Sequence, residues 1–510
     1  MGPVLHDALS PSLRRLAAAL LLLGAPAAAG AQLAPYGNVA DSAPYATSAP
    51  EARLAARIDS VLARPHLAQA RWGIEVREVG TGRVLYSRDA ARPAVPASAM
   101  KLVVAAAAAH HLAPDHRFRT TLHGTGPVRD GVLEGDLVLY GRGDPMISSR
   151  FFDSPLTVFE ALADSLRARG IRRVQGGVIA DESWLDAEYV HADWNAYDRL
   201  WWYAAPVGAL GFNDNSIDVV VRPGAAVGAP ARITPAPASA AYSIENASRT
   251  VARGGRATLD LARGTGPGRV RAAGVIPLGA PVRTMYFAVE EPARWTGTVF
   301  RETLERKGIA FGRTRVEVVS DPVRSPAAGA AVLAEWASPP LDHAIGPVLM
   351  RSQNWFAELL VKTLGREVRG EGSWEAGLAL EREFLVREVG IPAGDFVLRD
   401  GSGLSSRNRI TARALVTLLE YVRSTPGQRA VLDALPVSGR TGSLERRLED
   451  LPGRVAAKTG YIRGVDALAG FVTLPDGREL AFAIVSNESR EPSARMKAGI
   501  DDVVRAIARR

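Results

Sequence analysis

Cysteine is absent from this 510-residue chain. That excludes disulfides, thiolate metal sites, a cysteine nucleophile and a lipid-modified N-terminal cysteine, so an exported form must be held by its core alone. Long apolar runs are missing as well. No stretch after the N-terminus reaches the ~18 uninterrupted apolar residues of a spanning helix. Aromatics make up only 6%, yet hydrophobic residues reach 47% and charged residues 23%, which fits two or three packed domains rather than disorder. Several catalytic signatures are also lacking: there is no Gly-x-Ser-x-Gly elbow, no His-Glu-x-x-His zinc site and no Gly-x-x-x-x-Gly-Lys phosphate loop. His110-His111 read as the frayed end of a buried helix, so no metal and no cofactor are expected.

The scarcest charged residue is lysine, with five among 62 basic residues. Two of the five stand in short motifs, Ser98-Ala99-Met100-Lys101 and Lys458-Thr459-Gly460. Arginine cannot give up its proton in a protein, whereas a buried lysine can. A lysine three residues after a serine is therefore a candidate base for that hydroxyl. Lys307, Lys362 and Lys497 have no serine three positions earlier, so the pairing occurs once. A third motif, Ser352-Gln353-Asn354, lies between these two, although Ser-x-Asn recurs at Ser406-Arg407-Asn408. Taken singly, Ser98 reads as a helix cap, Ser352 equally as a cap and Lys458 as an exposed strand lysine. The ordered set carries the weight.

The formal charge of +8 comes from scattered arginines without a basic tract, so no nucleic-acid partner is expected and the charge reads as a solvated surface suited to an anionic polymer such as the cell wall. Residues 1–31 read as a secretory signal: Arg14 and Arg15, the apolar run Leu16–Leu23, and the small residues Ala29-Gly30-Ala31. No membrane span is expected to remain after cleavage. Residues 32–50 are rich in Pro, Ala and Ser and read as a mobile lead-in. A helix is expected over 52–63, then a hairpin of Trp72, Ile74 and Val76 with Val84-Leu85-Tyr86 about Gly80-Thr81-Gly82. The run 101–109 is apolar all round after its lysine, the pattern of a buried helix, with Ser98 at its start and Lys101 one turn along.

The C-terminal end supplies a strand over 454–459, a hairpin of 467–474 with 479–485, and an amphipathic helix over 493–508. Each end offers only a portion of a sheet, so the two are expected to share one, with the middle as an insertion. This divides the chain into an N-terminal catalytic segment (51–120), an inserted β-rich domain (121–335) with a nested domain near 223–280, and a C-terminal catalytic segment (336–510). Within the insertion a strand is expected over 257–261 and a helix over 298–307. Trp194, Trp201 and Trp202 read as core of the insertion rather than as a sugar platform. Later helices are expected at 354–364, 374–389 and 411–423.

The ordered motifs resemble those of the penicillin-binding proteins and β-lactamases. With the blocks LVLYGRGDPMIS (137–148), YAAPVGALGFNDNSIDV (203–219), RDGSGLSSRNRIT (399–411), LPVSGRTGSLERR (435–447) and AKTGYIRGVDALAGFV (457–472), the chain resembles the low-molecular-mass class C penicillin-binding proteins, the D-alanyl-D-alanine carboxypeptidase/endopeptidase family. The resemblance implies an α+β penicillin-binding/β-lactamase-like fold, an antiparallel sheet flanked by helices. It implies a serine-type D-Ala-D-Ala carboxypeptidase, with cross-bridge cleavage as a further activity, acting on peptidoglycan stem peptides in the periplasm or cell wall and acylated by β-lactams. By position, Ser98 would be acylated, Lys101 would move its proton and Ser352 would relay it to the departing amine. Asn354 would hold the peptide, Lys458 and Thr459 the terminal carboxylate, and Gly460 would allow close approach. The backbone N–H groups of Ser98 and Tyr461 would form the oxyanion hole. Gln353 and Tyr461 depart from the family, which often has aspartate and threonine there. The rival readings are a β-lactamase and a non-catalytic wall-binding protein. No Glu-x-x-x-Asn lies between the first and last motifs to position a deacylating water, which opposes the first, and the intact motifs oppose the second.

Overall fold

Strand Arg71–Glu78 pairs on one side with Val84–Arg88 and on the other with Glu479–Asn487, so the two halves of the chain meet in a single sheet. The computed structural model describes residues 48–509. The expected signal (1–31) and the lead-in up to residue 47 lie outside the described residues. The sheet has five antiparallel strands in the spatial order Val84–Arg88, Arg71–Glu78, Glu479–Asn487, Val465–Thr473, Val455–Ile462. Its central strands are buried on both faces. Phe482, Ile484 and Leu468 point to a layer formed by helices Ala49–Leu62 and Ser493–Ala508. The alternate positions Ala481, Ala483, Ala467 and Ala469 meet a larger helical layer on the opposite face. Alternation of large and small side chains with period two lets helices lie on both faces.

The first helix starts at Ala49, earlier than its apolar stripe suggests, because Ser48 and Glu51 form a capping box. The last two residues of the expected lead-in are therefore helical. In the second layer, helix Lys101–His111 follows a 3₁₀ turn, Ala97–Met100, and every residue from Lys101 to Ala108 is buried. The helix continues through His111 instead of fraying before the histidine pair, and His110 Nδ1 meets the Tyr421 hydroxyl at 3.1 Å. Around it pack helices Leu341–Met350, Asn354–Arg369, Trp374–Glu383 and Ala412–Ser424. The helix expected to run to 389 is α-helical only to Glu383 and then opens into a π turn, Phe384–Glu388.

The insertion leaves and re-enters through paired strands, Arg119–Gly124 against Ala331–Ala337. They edge a five-stranded mixed sheet covered by helices Thr157–Ala168 and Pro292–Arg306. Two small sheets follow, one of Ser216–Arg222, Arg232–Ala236 and Arg283–Ala288, the other of Ser243–Val251, Asp260–Arg263 and Arg269–Pro277. The expected strand at 257–261 is thus shifted toward the C-terminus, and the expected helix at 298–307 begins six residues earlier, where Pro292 sits in its first turn. On these pairings we propose 118–337 as the inserted domain and 223–282 as the nested one.

The three tryptophans do not form one insertion core. Trp194 packs with Trp374 in the core of the catalytic helical layer, Trp201 lies edge-on to Phe287 in the insertion, and Trp202 is half-buried against Tyr203. Aromatic composition alone carries no information about which of two adjoining cores a ring enters.

Helices Asn354–Arg369 and Trp374–Glu383 touch closely because Gly377 has no side chain: a Cβ there would lie 2.0 Å from the Val361 carbonyl oxygen. Gly377→Ala is expected to wedge the helices apart and destabilise the protein by about 1–3 kcal/mol. A thermal melt unchanged from wild type would show that the contact is loose.

Candidate active site

The turn that carries Ser98 is held in a conformation its residues would not choose. Ala97 has φ +46°, in the sparsely populated left-handed region for a non-glycine residue. It is overdetermined by its neighbours. Strand Val455–Ile462 comes so close that a Cβ on Gly460 would sit 2.6 Å from Pro96 O and 3.1 Å from Ala99 N. On another side Gly403, with φ +79°, leaves room for Ala97, since a Cβ there would lie 1.9 Å from its carbonyl oxygen. The result is a partly exposed Ser98 hydroxyl above a fully buried Lys101.

Lys101 Nζ lies 3.0 Å from Ser98 Oγ, 2.7 Å from Asn354 Oδ1 and 2.6 Å from Ser402 O. The amide and peptide oxygens can only accept, so they take two amine hydrogens; only the serine can be a donor. A neutral amine has two hydrogens and one lone pair, which matches two acceptors and one hydroxyl donor. Burial lowers the amine's pKa from 10.5 to about 7, against the opposing pull of Glu358 and Asp400. Asn354 is oriented from its far side, because its Nδ2 donates to Tyr203 O at 2.7 Å and so leaves Oδ1 facing the lysine.

A second pair adjoins the first. Lys458 Nζ, also fully buried, donates to Ser352 Oγ at 2.8 Å and to Thr459 O at 2.7 Å. Burial and the nearby Lys101 push its pKa well down. Ser352 has φ +59°, and this backbone twist just before helix Asn354–Arg369 separates its direction from that of Asn354. Gln353 turns its amide toward Arg150. Thr459 Oγ1 donates to Ser443 Oγ at 2.8 Å. Tyr461 is 53% exposed, and Lys497 Nζ lies 4.8 Å from the centre of its ring.

Ser98, Lys101 and Asn354 thus form one hydrogen-bonded group, Ser352, Lys458 and Thr459 another, and the Gly460 contact joins their supports. Sequence reasoning missed the carbonyls of Ser402 and Tyr203, the hydroxyl of Ser443 and the carboxylate of Glu358. Three of these lie inside the family-like blocks, but a backbone oxygen has no residue signature. Glu358 lies outside the blocks, and on a helix it reads as ordinary surface charge. Among the described residues no group of three or more His, Cys, Asp or Glu side chains is arranged to hold a metal, and no helix is long and apolar enough to cross a membrane.

A sequence profile of the D-Ala-D-Ala carboxypeptidase 3 (S13) family matches residues 54–507. A D-alanyl-D-alanine carboxypeptidase of Actinomadura sp. (strain R39) is 37% identical over 450 residues, covering 86% of this chain and 81% of the relative. A D-alanyl-D-alanine carboxypeptidase of Haemophilus influenzae is 24% identical over 421 residues, covering 80% and 84%. Among solved structures, penicillin-binding protein 4 of Haemophilus influenzae superposes with a TM-score of 0.76 at 20% identity, over 88% of this chain and 98% of that one. That likeness establishes the α+β penicillin-binding fold with its insertions. Profile and relative extend over nearly the whole described chain, and on that breadth the protein belongs to the D-Ala-D-Ala carboxypeptidase 3 (S13) family, as a serine-type carboxypeptidase of the low-molecular-mass class C penicillin-binding group.

Proposed function

We propose that this carboxypeptidase works outside the cytoplasmic membrane, in the periplasm or cell wall, on peptidoglycan stem peptides. Ser98 Oγ attacks the penultimate D-alanine carbonyl as its proton passes to Lys101 Nζ. The oxyanion is received by the backbone N–H groups of Ser98 and Tyr461. Collapse breaks the peptide bond, and the proton reaches the departing D-alanine nitrogen through Ser352, held by Lys458. Asn354 holds the peptide. The terminal carboxylate lies against Lys458 and Thr459, whose hydroxyl is backed by Ser443. Water then adds to the Ser98 ester, giving its proton to Lys101, which returns one to Ser98 Oγ. A β-lactam follows the first half of this path, but its amine stays tethered in the opened ring, so the ester persists. A relative of this fold has been solved with a β-lactam bound. The observation that carries the reading is a fully buried amine 3.0 Å from Ser98 Oγ, held there by Asn354 Oδ1 and Ser402 O.

Benzylpenicillin is expected to add its mass to the Ser98 peptide and to no peptide of Ser98→Ala, read by mass spectrometry of the digest. An unmodified Ser98 peptide in the wild type would overturn the assignment and favour a wall-binding protein without catalysis. Nitrocefin turnover of many per second would instead favour a β-lactamase.

Lys101→Arg keeps the charge and removes the base, so acylation is expected to fall below roughly a tenth of wild type. A larger residual rate would refute base catalysis by Lys101.

The same amine sets the pH dependence. A lysine with a pKa of about 7 is neutral above that value, so the acylation rate rises with pH through about 7 and then levels. Below it, each unit of pH costs about tenfold. A profile flat from pH 5 to 8 would contradict a titrating base.

A further inference from the structure

Two buried carboxylates lie beneath the nucleophile, with no role in the steps just described. Asp400 and Glu358 are both fully buried and both grip the loop that runs under Ser98 and Lys101. Glu358 Oε1 accepts from Ser402 N at 2.8 Å, and Oε2 accepts from Gly401 N at 3.0 Å and Trp374 Nε1 at 2.8 Å. Asp400 accepts from Gly403 N at 2.9 Å, Ser405 N at 2.6 Å, Asn408 Nδ2 at 2.6 Å and Trp194 Nε1 at 3.0 Å. Burial and the neighbouring Asp400 raise the pKa of Glu358 to about 7, while the donors from Ser402, Gly401 and Trp374 favour its ionised form. Glu381 differs. It is fully buried and neither of its oxygens has a partner; burial and the nearness of Glu358 and Asp400 raise its pKa well above normal.

The gripped loop leads to the catalytic amine by two routes. The Ser402 peptide donates its N–H to Glu358 and offers its carbonyl to Lys101 Nζ at 2.6 Å. Charge supplies the second, because Glu358 and Asp400 both act on Lys101 across the buried layer, favouring its protonated form. The other ionisable group acting on Lys101 is Lys458, from the strand. On the remaining elements packed against the helix, Asp342, His343 and Asp433 are exposed, Arg413 is paired with Asp395, and Glu420 with Arg77.

We propose that Glu358 is a positioning residue for acylation: through the Ser402 peptide it aims the carbonyl that holds Lys101, and its negative charge tunes how readily that amine keeps a proton. This rests on the catalytic reading of Ser98 and Lys101 given above. Without an anion nearby, a dry amine loses its proton easily and becomes too weak a base to draw one from serine. The carboxylate restores affinity for the proton at the moment Ser98 gives it up.

The test is the pH profile of acylation by benzylpenicillin in the full chain, for wild type, Glu358→Gln and Trp374→Phe. Removing an anion disfavours the ammonium, so the ascending limb of Glu358→Gln is expected about one unit lower in pH, with a plateau reduced roughly tenfold. Trp374→Phe, which takes one donor from the carboxylate, is expected to move the limb in the same direction by less. A folded Glu358→Gln whose limb coincides with wild type overturns the proposal, since a purely structural role would lower the rate without moving the midpoint. Where Glu358→Gln does not fold, an unmoved limb in Trp374→Phe overturns it. Acylation of the wild type at Ser98 tests the catalytic reading separately, so either idea can fail alone.

Discussion

The structure depends on keeping one amine dry. In water, lysine is almost wholly protonated at neutral pH and cannot serve as a base. The all-apolar helix below Lys101 and the sheet beside it exclude water from the amine. Asn354, Ser402 and Ser98 replace the hydrogen bonds water would have made. This arrangement opposes folding. The unfolded chain binds a proton at Lys101 up to its ordinary pKa, the folded chain only up to about 7, so this site's contribution to stability rises with pH between those values and is least favourable below them. The hydrophobic layers on both faces of the sheet offset that penalty, and with no cysteine available no cross-link shares the task.

The middle segment of the chain reaches the candidate site directly. Tyr203 O fixes the Asn354 amide, and Pro206 O accepts from Trp355 Nε1 at 3.0 Å and from Asn215 Nδ2 at 2.8 Å. Lys362, on the same helix as Asn354, donates to Asp186 Oδ1 at 2.6 Å and to Val207 O at 3.3 Å, with its ammonium 4.0 Å from the centre of the Trp374 ring. Three of the five lysines are therefore fully buried, each against specific acceptors.

Much of this is legible in the residues, for a physical reason. Catalysis needs particular side chains at helical or strand spacing, and Ser98 with Lys101 or Lys458 with Thr459 leave that spacing in the chain itself. Sheet closure is legible because the hairpin of Trp72 and Tyr86 and the hairpin of Phe471 and Phe482 are each too small to bury their own faces. The ends of helices are less so: Ser48 and Pro292 extend theirs beyond the apolar stripe, and the π turn at Phe384 has no marker. Backbone acceptors such as Ser402 O are invisible, since any residue could supply them. Trp194 is misplaced by composition because both cores accept large rings, whereas Trp201 does pack in the insertion.

The close approach of Gly460 to Pro96 and Ala99 has a temporal consequence. A ribosome delivers the serine and its amine long before it delivers the strand that must lie beside them. Until that strand arrives, the amine stays hydrated and charged, and the hydroxyl is inert. The buried setting of Lys101 is therefore completed only after strand Val455–Ile462 has been made and has docked.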